Sequence, residues 1–462
     1  MSETSGTPQS EAPQQLLNSP VLKSAIRKAT FRLMPMLVIL YIVAFLDRTN
    51  VGFAEEAMEQ SIGISQAAYA LGAGIFFIGY AIFEIPSNLL LERFGAKIWL
   101  ARIAVTWGLV SACFSLVQND FMFIALRFLL GVTEAGLFPG VIMFLAAWFP
   151  NKVRVEMFAI FYLAQPFSQM IGNPLSGWLI NIGDQLGFVE GWRVMFAVEG
   201  LMAVAAGIAA FLVLINSPQD AKWLEKDEKK ALLDVMAHEN VVRESAGPKG
   251  ILAALGNARV WYFTIIYFCL QIAVYGTTFY LPQQVATLLG QEAGWQVGLV
   301  AAIPWFFGLF FCYFIGRIAN TVKRRRNLGA LFYTTTGLGV LGSAWAGIND
   351  QPVLGIVFIT IAVCSFLSCG PITWSFPTAF LVGTAAAAGI GLINSLGNLG
   401  GFVAPILRNA VNEATGSEGG FAGVIALGIL PFLAAIMMLL TKRMKTNADS
   451  LLESEKTPTP HH

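Results

Sequence analysis

Four charged side chains stand inside otherwise apolar sequence. Asp47 and Arg48 are adjacent in YIVAFLDRTNVGFA (residues 41–54), and Arg127 and Glu134 lie in LRFLLGVTEAGLFPG, Leu126 to Gly140. A charge near a bilayer centre costs about 2.5–3.5 kcal/mol even on lenient insertion scales, so such residues mark a functional site by default. Arginine stays protonated, and its planar fork grips a carboxylate through two parallel bonds. Desolvation raises the proton affinity of a carboxyl group and a neighbouring arginine lowers it, so a site that opens to each side in turn can load and release a proton. Together the four residues suit recognition of an organic anion by Arg48 and Arg127, with proton uptake at Asp47 and Glu134. The competing reading is a set of structural ion pairs that hold two helices together.

Spacing constrains both readings. Arg127 and Glu134 are seven apart, so on a helix they share one face at about 10 Å separation along the axis. That face can line a cavity. Asp47 and Arg48 point about 100° apart, so both fit an interior arc without making the same contact. The set sums to zero charge.

These residues need a membrane around them. Apolar residues make up 56% of the 462 and charged residues only 12%, against about 25% charged in soluble domains. The chain therefore reads as an all-α polytopic membrane protein whose solvent is the lipid bilayer. The net charge of +1 gives no reason to expect a nucleic-acid partner. Cys113, Cys269, Cys312, Cys364 and Cys369 all fall in apolar segments and read as free thiols, and the three histidines, His238, His461 and His462, form no metal site. No cofactor is expected.

Apolar stretches of about 20 residues, enough to span, recur near 33–54, 67–91, 99–117, 120–148, 153–180 and 193–215, then near 259–285, 295–316, 329–347, 352–380, 384–410 and 418–440. The expected organisation is a polar tail (1–32), a six-helix half (33–215), a charged linker (216–258), a second six-helix half (259–440) and a second tail (441–462). Segments 55–66, 118–120, 181–192, 286–295, 348–352 and 411–418 contain no Lys or Arg, whereas the alternate loops hold Arg93 and Lys97, Lys152 and Arg154, Lys222 to Lys230, and Lys323 to Arg326. Basic loops face the cytoplasm, which places both termini there. The first thirty or so residues lack the early apolar core of a secretory signal, so the tail should stay attached.

The halves echo each other. NLLLERFGAK (Asn88–Lys97) and GRIANTVKRR (Gly316–Arg325) occupy the second basic turn of each half. Two parallel six-helix repeats with a site at their midplane interface is a transporter architecture.

These turns resemble the signature turn of the major facilitator superfamily, with Asn88, Glu92, Arg93, Gly95 and Lys97 in its frame and Gly316, Asn320, Arg324 and Arg325 in a more degenerate copy. Together with FLDRTNVGFA, GYAIFEIPSNLLLERFGA and LRFLLGVTEAGLFPG, the chain resembles the anion:cation symporter branch over nearly its whole length. LQIAVYGTTFYLPQQVATLLG and GGFVAPILR resemble sugar-acid permeases of the rhamnonate and galactonate type. Departures stand at Glu92 for Asp, Ala96 for a basic residue, Asn320 for the acid and Thr321 for Arg. They put a gate-latching role of the turns in doubt.

The resemblance implies the major facilitator fold and alternating access in a bacterial inner membrane by a monomer. It carries proton handling to Asp47 and Glu134 and anion binding to Arg48. It implies substrate contacts at Tyr80, Gln165, Thr373, Trp374 and Asn394, for which helix packing is the competing role, and Gln271 and Tyr275 are further substrate-binding candidates. Shifting the first half onto the second by the offset of the turns sends Asp47 to Tyr275 and Arg48 to Gly276, so the charges exist in the first half only. One half would then hold anion and proton while the other hydrogen-bonds hydroxyls. The expected activity is proton-coupled uptake of an aldonate such as rhamnonate or galactonate; the alternative is a permease for tartrate or an aromatic carboxylate such as 4-hydroxyphenylacetate or phthalate. No HExxH, GxSxG or nucleotide loop supports an enzyme. Glu84 and Glu199, nearer the predicted helix ends, read as gate or interface contacts.

Overall fold

The computed structural model describes residues 19–245, 256–318, 322–377, 384–417 and 420–441, and it is helical throughout. In the first half the helices are α1 (Pro20–Thr49), α2 (Val51–Ile62), α3 (Gln66–Phe94), α4 (Ala96–Cys113), α5 (Asp120–Glu134), α6 (Leu137–Trp148), α7 (Asn151–Tyr162), α8 (Ala164–Leu186) and α9 (Gly191–Val213). After α10 (Lys226–Ser245) follow α11 (Ala258–Leu289), α12 (Trp295–Ile318), α13 (Val322–Ile348), α14 (Pro352–Trp374), α15 (Thr384–Asn398), α16 (Gly400–Thr415) and α17 (Phe421–Leu440). Residues 1–18 and 442–462 of the tails, the middle of the linker and part of the second signature turn (Asn320, Thr321) lie outside the described residues, while residues 20–32, expected in the polar tail, are already helical and open α1.

Local sequence starts and stops these helices. Ser19, Ser65, Asn119 and Asn257 accept a backbone N–H of the first turn of α1, α3, α5 and α11, satisfying donors that the helix leaves open. Among the described residues, nine helical segments are long and apolar enough to cross a membrane. The helices α8, α12 and α13 occupy the other expected positions without meeting that measure over their described length. In α8 the reason is its polar residues, Gln165, Ser168, Gln169, Asn173 and Asn181, which face protein rather than lipid at Ser168, Gln169 and Asn173.

Two breaks position the central charges. Arg48 sits in the last turn of α1, where the helix dipole favours a cation. Glu134 closes α5, and Gly136 beyond it adopts φ +89°, where an added Cβ would lie 2.3 Å from Ser87 Oγ. A side chain there is excluded by both conformation and space. One turn earlier, a Cβ on Gly131 would lie 2.0 Å from the Phe76 carbonyl oxygen. Bare backbone at Gly131 thus lets α5 touch α3 and sets Glu134 beside Arg48.

The halves meet where α12 packs on α8, α16 on α3, and α11 on α2. Their closest approaches, Gly52 to the Phe279 carbonyl and Gly298 to the Asn173 carbonyl, lie towards the loops that lack Lys and Arg. The linker is fastened to the first half: Ser24 and Lys28 of α1 donate to Glu228 of α10 at 2.7 and 2.9 Å, and Trp148 stacks on Trp223 at 5.6 Å. Burial pushes the Glu228 carboxyl up, but the bonds from Lys28, the Glu225 N–H and Ser24 outweigh it and hold it below the usual carboxylate range.

Candidate functional site

A cavity of about 260 Å³ lies between the halves. From the first half, α1 supplies Tyr41, Phe45 and Arg48, α3 supplies Phe76, Phe77 and Tyr80, and the α7–α8 region supplies Tyr162 and Gln165; from the second, α11 supplies Tyr267, Gln271 and Tyr275, α14 supplies Trp374, and α15 supplies Asn394 and Asn398. Charge on one side, amides and hydroxyls on the other, and aromatic walls between give it its character.

Arg48 is the cation exposed to this space. Its Nη2 donates to Glu134 Oε1 and its Nη1 to the Tyr275 hydroxyl at 3.2 Å. The rings of Phe45, Phe76 and Tyr80 lie 4.9, 5.1 and 5.6 Å from the guanidinium carbon, a cation–π setting that stabilises charge away from water. Arg48 Nε and Glu134 Oε2 are buried and have no hydrogen-bond partner among the described residues. The fork therefore has an unused donor edge while the acid keeps an unused acceptor.

The other candidates divide. Tyr80, Gln165, Gln271, Tyr275, Trp374 and Asn394 all line the cavity with Arg48. Asp47 instead turns into the first half, where its carboxylate accepts from Trp107 Nε1 at 2.9 Å and Ser111 Oγ at 2.7 Å. Arg127 also faces away: Nε and Nη2 donate to the carbonyls of Gly72 and Ala73 at 3.1 and 3.3 Å. Its shared face with Glu134 packs on α3 and does not line the cavity. Thr373 is buried behind the wall, paired with the Tyr333 hydroxyl at 2.7 Å. In the signature turn, Gly95 ends α3 at φ +83°, the Lys97 N–H donates to Asn216 at 2.8 Å, Arg93 lies over Phe94, and Glu92 is exposed.

The central charge is not a neutral set of four. Buried with it are Glu55, Glu84, Glu199 and Arg408, so, leaving aside Glu228 of the linker, the described helical halves bury five carboxylates against three arginines. Glu199 accepts from Asn50 and Ser176, both at 2.7 Å. Glu84, on α3, accepts from Ser395 Oγ and, at 3.5 Å, from Asn394 Nδ2 of the other half. Asn398, which sequence reasoning missed, receives Gln271 Nε2 at 2.6 Å and donates to Asn394 Oδ1 at 3.2 Å. The signal was its spacing: it lies four after Asn394, on the same helical face.

The family model of the Major Facilitator Superfamily matches residues 37–405. The chain belongs to that superfamily. It is 38% identical to the inner membrane transport protein RhmT of Escherichia coli K12 over 94% of this chain and 99% of that one, and 39% identical to a putative tartrate transporter of Agrobacterium vitis over 93% and 98%. Among solved structures, a D-xylose-proton symporter superposes with a TM-score of 0.68 at 17% identity, covering 88% of this chain and 97% of that one. The last likeness shows the fold. As a member of the Major Facilitator Superfamily the protein is a multi-pass membrane transporter, not an enzyme.

Proposed function

We propose that the protein is a proton-coupled symporter of a small hydroxylated organic anion, a sugar acid such as rhamnonate or galactonate. It would cross a bacterial inner membrane twelve times, with both termini cytoplasmic, and work by alternating access between its two halves. The observation that carries the reading is Arg48: a cation facing the cavity, with an unused Nε edge, whose one carboxylate partner is Glu134. A substrate carboxylate takes that edge and displaces Glu134. The displaced acid, surrounded by apolar side chains, takes up a proton, because an isolated buried carboxylate is costly. Anion and proton thus enter together, and neither alone satisfies the site.

Among the described residues, the second half lines the cavity with no charged side chain and offers Gln271, Tyr275, Asn394 and Asn398 to hydroxyls. Asp47, next to Arg48 in the chain and held by neutral donors only, serves as the second proton site. Tyr80, Gln165 and Trp374 shape the wall. A tartrate permease is the second reading, favoured by the names of two relatives; an aromatic carboxylate is favoured by the Phe and Tyr rings around Arg48.

The test is alkalinisation of the medium by lightly buffered, de-energised cells expressing the protein, given rhamnonate, galactonate, tartrate and 4-hydroxyphenylacetate one at a time. A rise with a sugar acid alone is expected. No rise with any of them, with the protein in the membrane, overturns proton symport of these anions.

A further inference from the structure

Arg48 and Glu84 stand at opposite ends of one hydrogen-bonded chain. Arg48 Nη1 donates to the Tyr275 hydroxyl at 3.2 Å, which donates to Asn398 Oδ1 at 3.5 Å; Asn398 Nδ2 donates to Asn394 Oδ1 at 3.2 Å, and Asn394 Nδ2 donates to Glu84 Oε1 at 3.5 Å. The chain begins and ends on the first half but runs through the second. Gln271 reinforces it by donating to Asn398 Oδ1 at 2.6 Å, and Ser395 reinforces the far end by donating to Glu84 Oε2.

An arginine can only donate, and an ionised glutamate can only accept. Amides can turn either way, so the two ends fix the middle. With Glu84 accepting, Asn394 must present its NH2 to Glu84 and its carbonyl to Asn398, and Asn398 must present its carbonyl to Gln271 and Tyr275. Glu84 itself does not line the cavity, whereas Asn394, Asn398, Gln271 and Tyr275 all do.

We propose that Glu84 is a positioning residue for substrate selection: it sets which way the cavity amides face and so makes the cavity discriminate hydroxylated anions from their deoxy analogues. The two links of 3.5 Å are the longest in the chain, and they are where a ligand hydroxyl, itself donor and acceptor, inserts without reversing any neighbour. This rests on the anion-transport reading above and adds to it a residue outside the cavity.

Glu84→Gln keeps the shape but supplies an NH2 that can donate to Asn394, which frees the amides to flip. Binding of tartrate and succinate, and of galactonate and its 2-deoxy analogue, to purified protein gives the ratio of affinities in each pair. The wild type is expected to favour the hydroxylated member, and Glu84→Gln to lower that ratio roughly tenfold, the size of one lost hydrogen bond. Glu84→Asp keeps an acceptor-only group at the end of the chain, and its ratio is expected to stay closer to that of the wild type than the ratio of Glu84→Gln. A merely structural role would weaken both members of a pair equally. An unchanged ratio in Glu84→Gln protein that melts like wild type overturns the proposal, as does a Glu84→Asp protein whose ratio is no better than that of Glu84→Gln. If the wild type binds neither hydroxylated anion, the transport reading fails instead.

Discussion

Replacing Glu134 by Gln separates the two jobs assigned to the Arg48–Glu134 pair. In the resting site the carboxylate occupies part of the guanidinium that a substrate needs. A hydrogen bond involving a charged group contributes about 1.5–3 kcal/mol, and a substrate must displace that bond before it gains its own. Without the negative charge, an anion is expected to bind about 10- to 150-fold more tightly. Breaking a buried pair from one side also costs about 3–5 kcal/mol of stability. That loss is softened here, because the Gln carbonyl can still accept from Nη2 and the rings of Phe45, Phe76 and Tyr80 remain around the cation. The assay pairs equilibrium binding in detergent with uptake into proteoliposomes under a pH gradient. Tighter binding, intact counterflow and no uphill accumulation are expected. Concentrative uptake, or affinity equal to that of the wild type, would refute the competition between substrate and Glu134.

Arg48→Lys keeps the charge but loses the fork that reaches Glu134 and Tyr275 together; anion affinity should fall at least about tenfold, and normal affinity in a binding titration would remove Arg48 from direct contact. Gly131→Val places a Cβ where 2.0 Å separates it from the Phe76 carbonyl, so α3 and α5 must part; a cost of about 1–3 kcal/mol or more should appear as a lower melting temperature and lost transport. The Glu228 carboxyl is held below its ordinary range in the folded protein, so its tie to Ser24 and Lys28 is fully present above about pH 4.3 and fades as pH falls through the folded value. Limited proteolysis by an acid-active protease should therefore find the linker more accessible below that pH, and Glu228→Gln should remove the dependence.

Periodicity and charge alone carried much of the architecture. Long apolar runs can satisfy their backbone in lipid only as helices, and the described residues are helical where those runs stand. The sequence pointed to buried arginines and carboxylates in the same pair of helices without saying that Arg48 would pair with Glu134. Which of the intramembrane charges meet was beyond the sequence. Asp47 and Arg48 are neighbours in the chain, yet one accepts from Trp107 and Ser111 while the other faces the cavity, because a 100° step on a helix becomes two different environments only when α4 and α11 are packed around it. Arg127 shares a face with Glu134, but α3 lies close enough to cap it with the carbonyls of Gly72 and Ala73. Glu84 and Asn398 gained their roles from contact across the halves. Composition and spacing act along one helix and so determine which residues are buried; the partners of a buried polar group come from other helices, and only their packing decides them.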